Sequence, residues 1–371
     1  MNNLILINLN TSWNIYNFRL SLIQTLQTNG FEVIALAPYD EYVNKLEGLG
    51  VKCYHIKLNP KGTNPIKDLW LIYKYYKTFK HLNPLVILSF TIKPNVYGNI
   101  AAKLIKTPII NNISGLGTIF IKNSLATYIG KYLYKVSLAS SSHVFFQNKD
   151  DQQLFIEKKL VKPRITSLIP GSGVNVEKFH CQRNKNKCIK FLFVGRLIAD
   201  KGVFEYLEAA ASVLKAYPDK EFLLVGELGS SNKTSLSKEQ LENFTNNYPQ
   251  IKYLGKTDKI LMLLKSVDVL VLPSYREGLS KALIEAAAMK LPIITTNVPG
   301  CRDVVQDMFN GLLCEAKSKK SLEKAIYKMI CLTEEERLEF GINGRKKIAN
   351  EFSSQIVNKI YLNKINKIIK V

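Results

Sequence analysis

The chain has 371 residues, 46% of them hydrophobic, and a formal net charge of +22. This length suits two domains with real cores, the composition is not that of a disordered chain, and no apolar run reaches the ~20 residues that span a bilayer. Only eight of the 52 basic residues are Arg, and no Arg–aromatic cluster appears, so nucleic acid is not an expected partner; the lysine excess points to an anionic membrane surface, with a general drift toward Lys, Asn and Ile contributing.

The opening, MNNLILINLN, lacks the basic region and small-residue cleavage site of a secretion signal and reads as a buried strand, so the protein is expected in the cytoplasm. Residues 4–9, 31–37, 51–57, 85–90, 108–112 and 143–146 read as strands, and residues 16–28, 40–48, 65–81, 95–105 and 124–140 as the helices between them. Such alternation predicts a parallel, doubly wound sheet, whose ligands sit beyond the carboxyl ends of the strands. The loop after the first strand is Asn10–Asn14, followed by Tyr16 and Arg19; Arg19 reads equally as a solvated helix residue. The loop after the fourth holds Lys93, which reads equally as a surface lysine, and Pro94, suited to the first turn of a helix. After the fifth come Ser114, Gly115 and Gly117, two glycines that let the backbone turn tightly beside a ligand. Residues 119–140 mix Phe120, Tyr128, Tyr132, Tyr134 and Leu138 with Lys122, Lys131 and Lys135, which fits an interfacial helix or a packed helix with snorkelling lysines.

Pro170, Gly171 and Gly173 mark a linker over residues 165–173. The pattern then restarts. A strand at 191–194 runs into Gly195–Arg196 and, five residues on, Lys201–Gly202, ahead of a helix from Val203. Cations at a helix start are disfavoured by its dipole, so Arg196 and Lys201 call for an anionic ligand. A strand at 222–225 ends in Gly226–Glu227; another ends at Gly255, and Thr257 or Asp258 is expected to cap the helix that follows. The apolar run 267–272 ends at Pro273–Ser274, and a helix over 279–289 follows Gly278. A helix opening at a glycine after a parallel strand is an anion site: its N–H groups are unsatisfied and no side chain blocks a phosphate. Glu277 precedes this helix and Glu285 faces inward on it, where a carboxylate suits sugar hydroxyls; the plain alternative is a strand–loop–helix with two exposed glutamates. Residues 293–295 form the next strand, 318–331 and 334–350 packing helices, and 352–369 a last basic helix. The six cysteines include no C-x-x-C pair and His is scarce, so free thiols in a reducing compartment are expected rather than a zinc site.

The segment Glu277–Gly278–Leu279–Ser280–Lys281–Ala282–Leu283–Ile284–Glu285, with LPSYREG before it and PIITTNVPGCRDVV after it, resembles the Glu-x7-Glu motif of the retaining glycosyltransferases of family 4. The G-R-x4-K-G string at Gly195–Gly202 is a second match, and the likeness extends over nearly the whole chain. The resemblance implies an α/β GT-B fold: two Rossmann-like, doubly wound parallel-sheet domains facing a central cleft. It implies an acceptor-binding domain at residues 1–168, a nucleotide-sugar domain at 169–351 and a helix at 352–371 returning to the first domain. It also implies that Arg196 and Lys201 bind the donor diphosphate and, with Glu277, form the catalytic set. Gly195, Gly226, Gly255, Gly278, Leu279, Ser280 and Glu285 would complete the donor site, with Glu285 on the ribose. Arg19, Lys93, Ser114, Gly115 and Gly117 would line the acceptor side.

The chemistry follows from the residue types. Negative charge grows on the leaving diphosphate as the sugar–phosphate bond breaks, and two fixed cations stabilise that state more than the ground state. No carboxylate is placed as a nucleophile, which fits front-side attack, and no metal or other cofactor is expected. The chain departs from the family pattern at Asn10–Asn14, where many members carry glycines, and at Ser114, where many place a His. Phe18–Arg19 and the G-L-G-x-x-[FY] string from Gly115 are similar to bacterial N-acetylgalactosaminyltransferases that extend lipid-linked bacillosamine. That implies a UDP-N-acetylhexosamine donor, an undecaprenyl-diphosphate-linked acceptor and work at the inner face of the cytoplasmic membrane. A sugar-nucleotide epimerase of the same fold, a non-catalytic nucleotide-sugar-binding protein and a glycogen-synthase-like enzyme are the rival readings.

Overall fold

The computed structural model describes residues 2–59, 64–116, 125–180, 188–229, 232 and 234–370. In chain order the strands are β1 (Leu4–Asn8), β2 (Glu32–Ala37), β3 (Lys52–His55), β4 (Val86–Phe90), β5 (Ile109–Ile113), β6 (His143–Phe146), β7 (Thr166–Leu168), β8 (Lys190–Val194), β9 (Glu221–Val225), β10 (Ile251–Tyr253), β11 (Val269–Leu272), β12 (Ile293–Thr296) and β13 (Gly311–Cys314). The helices are α1 (Ser12–Thr28), α2 (Val43–Glu47), α3 (Pro65–Leu82), α4 (Asn99–Leu104), α5 (Leu125–Leu138), α6 (Lys149–Glu157), α7 (Val203–Ala216), α8 (Lys238–Asn247), α9 (Ile260–Lys265), α10 (Lys281–Ala288), α11 (Lys319–Cys331), α12 (Glu334–Glu351) and α13 (Ser354–Ile369). They form two compact units, Met1–Ser172 with Ser354–Val371, and Gly173–Ser353.

The first unit is a parallel sheet in the order β3-β2-β1-β4-β5-β6-β7. Its central strands β1, β4 and β5 are buried along their length because helices cover both faces. Leu6, Ile87, Ile109 and Val144 point to one face, where Tyr75 and Phe79 of α3, Ala101 of α4, Tyr134 and Leu138 of α5 and Phe155 of α6 pack. Their neighbours Ile5, Ile7, Leu88, Ile110 and Phe145 point to the other, covered by Ile15, Leu22 and Ile23 of α1 and by Val357, Tyr361 and Ile365 of α13. A π-helical turn, Pro94–Gly98, joins the exit of β4 to α4. Buried amides knit this region: Asn95 Nδ2 donates to Asn112 O at 2.8 Å, and Asn112 Nδ2 donates to the Tyr361 hydroxyl at 2.8 Å.

The second unit repeats the architecture with the order β10-β9-β8-β11-β12-β13, all parallel. Phe191, Phe193, Phe222 and residues 269–272 fill its core, with the Phe191 and Phe222 rings stacked at 4.9 Å. The start of α12 is fixed by a reciprocal cap: Thr333 Oγ1 accepts the Glu336 N–H at 3.2 Å and Glu336 Oε2 accepts the Thr333 N–H at 2.7 Å.

The structure moves several expected boundaries. The chain leaves the first unit after Ser172 rather than 168, because the Ile169 N–H donates to Phe146 O at 2.8 Å and prolongs the sheet. It re-enters at Ser354 rather than 352, because Phe352 O accepts the Val174 N–H at 3.0 Å and Ser353 bridges to Val174. The helix expected over 40–48 is only Val43–Glu47: the Asp40 carboxylate accepts the Trp13 and Tyr42 N–H groups, and Asp40 O accepts the Val43 N–H at 3.1 Å in a turn ahead of the helix. The expected cap after β10 is absent in that form: Thr257 Oγ1 accepts the Lys259 N–H at 3.0 Å, and α9 begins at Ile260 without a side-chain cap. Gly117, Phe120, Lys122 and Cys181 lie outside the described residues.

Candidate active site

Three of the expected donor glycines meet at the carboxyl ends of adjacent strands. The Gly195 N–H, leaving β8, donates to Val225 O at 3.0 Å, and the Gly226 N–H, leaving β9, donates to Gly255 O at 3.0 Å. A Cβ on Gly226 would stand 1.8 Å from Gly195 O, so only glycine lets the two strand exits lie this close. Tyr253 closes the row by donating its hydroxyl to Gly226 O at 2.9 Å. The result is a shelf of bare backbone over β8–β10, with Arg196 exposed just beyond it.

Next to this shelf the exits of β8 and β11 are locked together. Ala199–Lys201 form a 3-10 turn ahead of α7, and Gly202 has φ +74°. A Cβ there would lie 2.1 Å from Pro273 O, so the turn presses on the end of β11. The Tyr275 N–H donates to Asp200 O at 2.9 Å and its hydroxyl to Glu205 Oε1 at 2.6 Å; burial, and then that carboxylate, hold the Tyr275 phenol above its ordinary pKa. Lys201 Nζ is paired with Glu277 Oε1, and the same oxygen accepts the Ser274 hydroxyl at 2.7 Å. Behind it the Glu277 N–H donates to Pro299 O at 3.2 Å, and Gly300, φ +79°, permits the contact, since a Cβ would fall 2.5 Å from Glu277 O.

Gly278, Leu279 and Ser280 lead from Glu277 into α10, which begins at Lys281 rather than at the glycine. The correction has a local cause: Ser280, with φ −78° and ψ 116°, stands in extended backbone as the N-cap. Its side chain makes no capping hydrogen bond and the first turn of α10 carries no acidic residue. The helix start therefore keeps its positive end open to an anion. Glu285, one turn in, is 8% exposed. Burial pushes its carboxyl above the ordinary range, against the pull of Lys281, 3.5 Å away, and of Lys178. Neither glutamate is the exposed surface group of the plain alternative.

On the first unit, two residues are not as expected. Arg19 is buried rather than solvated: its guanidinium lies over the ring of Phe90, the last residue of β4, 4.0 Å from the centroid. Its Nε has no hydrogen-bond partner, and burial lowers its pKa against the influence of Tyr361. Lys93 is not an open cation. It is ion-paired with Asp68 of α3 at 2.7 Å, and the Tyr97 hydroxyl donates to the other oxygen of that carboxylate at 2.7 Å. Ser114 is exposed at the end of β5, followed by Gly115 at φ +130°.

The sequence reading missed Ser274, Tyr275 and Gly300. The Pro299–Gly300 dipeptide was the available turn signal. It also missed Asn112 and Tyr361, whose link spans 249 residues and leaves no local trace.

Comparison with known proteins places these features in context. Residues 175–347 match the family model for glycosyl transferases group 1, and residues 5–148 that for glycosyl transferase 4-like proteins. The chain is 30% identical over 376 residues to the N,N'-diacetylbacillosaminyl-diphospho-undecaprenol alpha-1,3-N-acetylgalactosaminyltransferase of Campylobacter jejuni, covering 96% of each. It is 26% identical over 318 residues to the UDP-Gal:alpha-D-GlcNAc-diphosphoundecaprenol alpha-1,3-galactosyltransferase of Escherichia coli, covering 82% of this chain and 80% of that one. Among solved structures, Anabaena HepE in complex with UDP and glucose superposes with a TM-score of 0.81 at 16% identity, over 99% of this chain and 100% of that one.

Proposed function

The chain belongs to the group 1 glycosyltransferases and has the GT-B fold, and from that premise we propose that it moves an N-acetylhexosamine from UDP to a saccharide on undecaprenyl diphosphate, with retention at the anomeric carbon. The observation that carries this reading is the joined exit of β8 and β11, where Lys201 and Glu277 meet beside the uncapped start of α10. A diphosphate bridging Arg196, Lys201 and that helix start would meet two cations and a helix dipole without a divalent ion. The nucleoside would lie on the glycine shelf, and Glu285 would accept from the ribose hydroxyls.

In the reaction, the bond from the anomeric carbon to the β-phosphate oxygen breaks and the acceptor hydroxyl oxygen bonds to that carbon on the same face. The hydroxyl proton passes to the departing phosphate oxygen. Arg196 and Lys201 stabilise the charge left on UDP, and Glu277 stands beside the sugar. The names of the C. jejuni and E. coli relatives both describe α-linked products on lipid diphosphates. UDP-sugars are themselves α-linked, so retention and a polyprenyl-diphosphate acceptor are in keeping with those relatives. Among the described residues no helix is long and apolar enough to cross a membrane. In the proposed reading, the enzyme meets its lipid-borne acceptor at the cytoplasmic surface of the membrane. On α5, Tyr128, Ile129 and Tyr132 face outward beside Lys131 and Lys135, while Tyr134 and Leu138 pack inward.

The test is a panel of nucleotide sugars incubated with undecaprenyl-diphosphate saccharides, read by mass, with and without excess chelator. A mass gain of one N-acetylhexosamine from the UDP donor, undiminished by chelator, is the expected result. Activity restored only by manganese or magnesium would overturn the metal-free mechanism. Epimerised nucleotide sugar, formed without acceptor, would overturn the transfer itself.

A further inference from the structure

We propose that the first turns of α3 are a wedge that seats the first unit on an anionic lipid bilayer. A surface helix ordinarily buries one stripe and presents polar residues on the other side. Helix α3 buries Leu71, Tyr75 and Phe79, yet its opposite face begins with Ile66, Leu69, Trp70 and Tyr73, exposed by 78%, 67%, 56% and 41%. Their spacing of three, four and seven residues makes one outward stripe. Two turns on, the same stripe changes character to Lys77 and Lys80. The face is thus apolar at the helix start and cationic at its end.

The side chains are arranged for that use. The Trp70 and Tyr73 rings stack at 5.0 Å; Lys74 Nζ lies 5.8 Å from the Trp70 ring and Lys77 Nζ 5.0 Å from the Tyr73 ring. Tryptophan and tyrosine with lysine beside them suit the boundary between acyl chains and anionic headgroups. The core of a protein–protein interface, by contrast, is depleted in lysine. The chain's net charge of +22 complements an anionic surface. The wedge is also fixed in place. Asp68, within the stripe's first turn but facing the protein, holds Lys93 and Tyr97 of the β4 exit, so the apolar end is tied to the strand ends of this unit. Helix α5, with its own outward tyrosines, packs in the same helical layer.

The proposal rests on the lipid-linked acceptor for its purpose, but the vesicle-binding measurement itself uses neither donor nor acceptor, and turnover serves only as a control. Full-length protein is co-sedimented with vesicles of phosphatidylglycerol and phosphatidylcholine, and with phosphatidylcholine alone, while the combined emission of Trp13 and Trp70 is followed. Wild type should partition to the anionic vesicles with a blue shift, and Leu69→Glu/Trp70→Glu should lose at least about tenfold in partition. Both substituted positions are exposed, so the melting temperature and turnover on a water-soluble acceptor should stay unchanged. A Lys77→Glu/Lys80→Glu variant should lose the preference for anionic lipid while keeping part of the salt-resistant binding. Equal partition of the Leu69→Glu/Trp70→Glu variant and wild type, or no binding by wild type, would overturn the wedge. So would a wild-type dimer that this variant dissolves, because a second copy would then cover the stripe. Vesicle binding without any sugar transfer would leave the wedge standing and remove the enzymatic reading.

Discussion

Lys201 and Glu277 form an ion pair across 76 residues of sequence, each delivered by the loop at the end of a different central strand. The pair means that Lys201 is electrically matched before any diphosphate arrives, whereas Arg196 stands exposed. On the proposed mechanism, Lys201 would share its charge between the carboxylate and the leaving group. Arg196→Ala and Lys201→Ala are each expected to lower turnover by roughly 100-fold or more, as when a charge-stabilising group is lost. Glu277→Gln should also lower turnover, yet bind UDP at least as tightly, because it frees the lysine. Steady-state kinetics and UDP titration calorimetry separate these effects. Near-normal turnover in Arg196→Ala would remove it from the chemistry, and weakened UDP binding in Glu277→Gln would contradict the charge-sharing account.

Glu285 gives a pH dependence with a definite sign. Burial raises its pKa in the folded state, so the native protein holds this proton more tightly than the unfolded chain. Stability then falls as pH rises from the ordinary carboxylate pKa through the raised one, and the full cost is present only above the raised pKa. Glu285→Gln should raise the melting temperature at neutral pH, with a gain that shrinks on acidification. It should weaken UDP binding by about tenfold, the scale of a hydrogen bond to a charged group. A melting gain independent of pH would show that the Glu285 carboxyl titrates alike in the folded and the unfolded chain, and would contradict the raised pKa.

Arg19 is a buried guanidinium with an unpartnered Nε over Phe90. Replacing an uncompensated buried charge with an apolar side chain of similar length is commonly neutral or stabilising. Arg19→Met is expected to melt at the same temperature or higher. If the guanidinium meets an acceptor phosphate, the acceptor KM should rise about tenfold or more with donor KM unchanged. A large drop in melting temperature with unaltered acceptor KM would instead make Arg19 a structural residue.

The strands buried on both faces were the legible part of this chain, since β1, β4 and β11 are apolar almost throughout. Thr166–Leu168 escaped notice because β7 sits at the sheet edge, paired only with β6, and carries two hydroxyl side chains that a buried strand would rarely hold. Glu277, Glu285, Arg196 and Lys201 could be singled out from local strings. Their mutual relation could not, because the Lys201–Glu277 pair depends on how β8 and β11 lie side by side. The surroundings of Lys93 and Arg19 were hidden for a related reason: pairing with Asp68 and stacking on Phe90 are long-range contacts that no spacing rule records. The outward stripe of α3 was invisible as well, because apolar residues on both sides of a helix look the same as a deeply buried one.

Helix α13 has a consequence for synthesis on the ribosome. The first unit leaves one face of its sheet waiting for Val357, Tyr361 and Ile365, all buried there. The other unit is encoded without a break from Gly173 to Ser353. Translation thus finishes the middle of the chain while its opening part still lacks a wall. A stop codon shortly after Ser353 would damage the part of the protein that was made first.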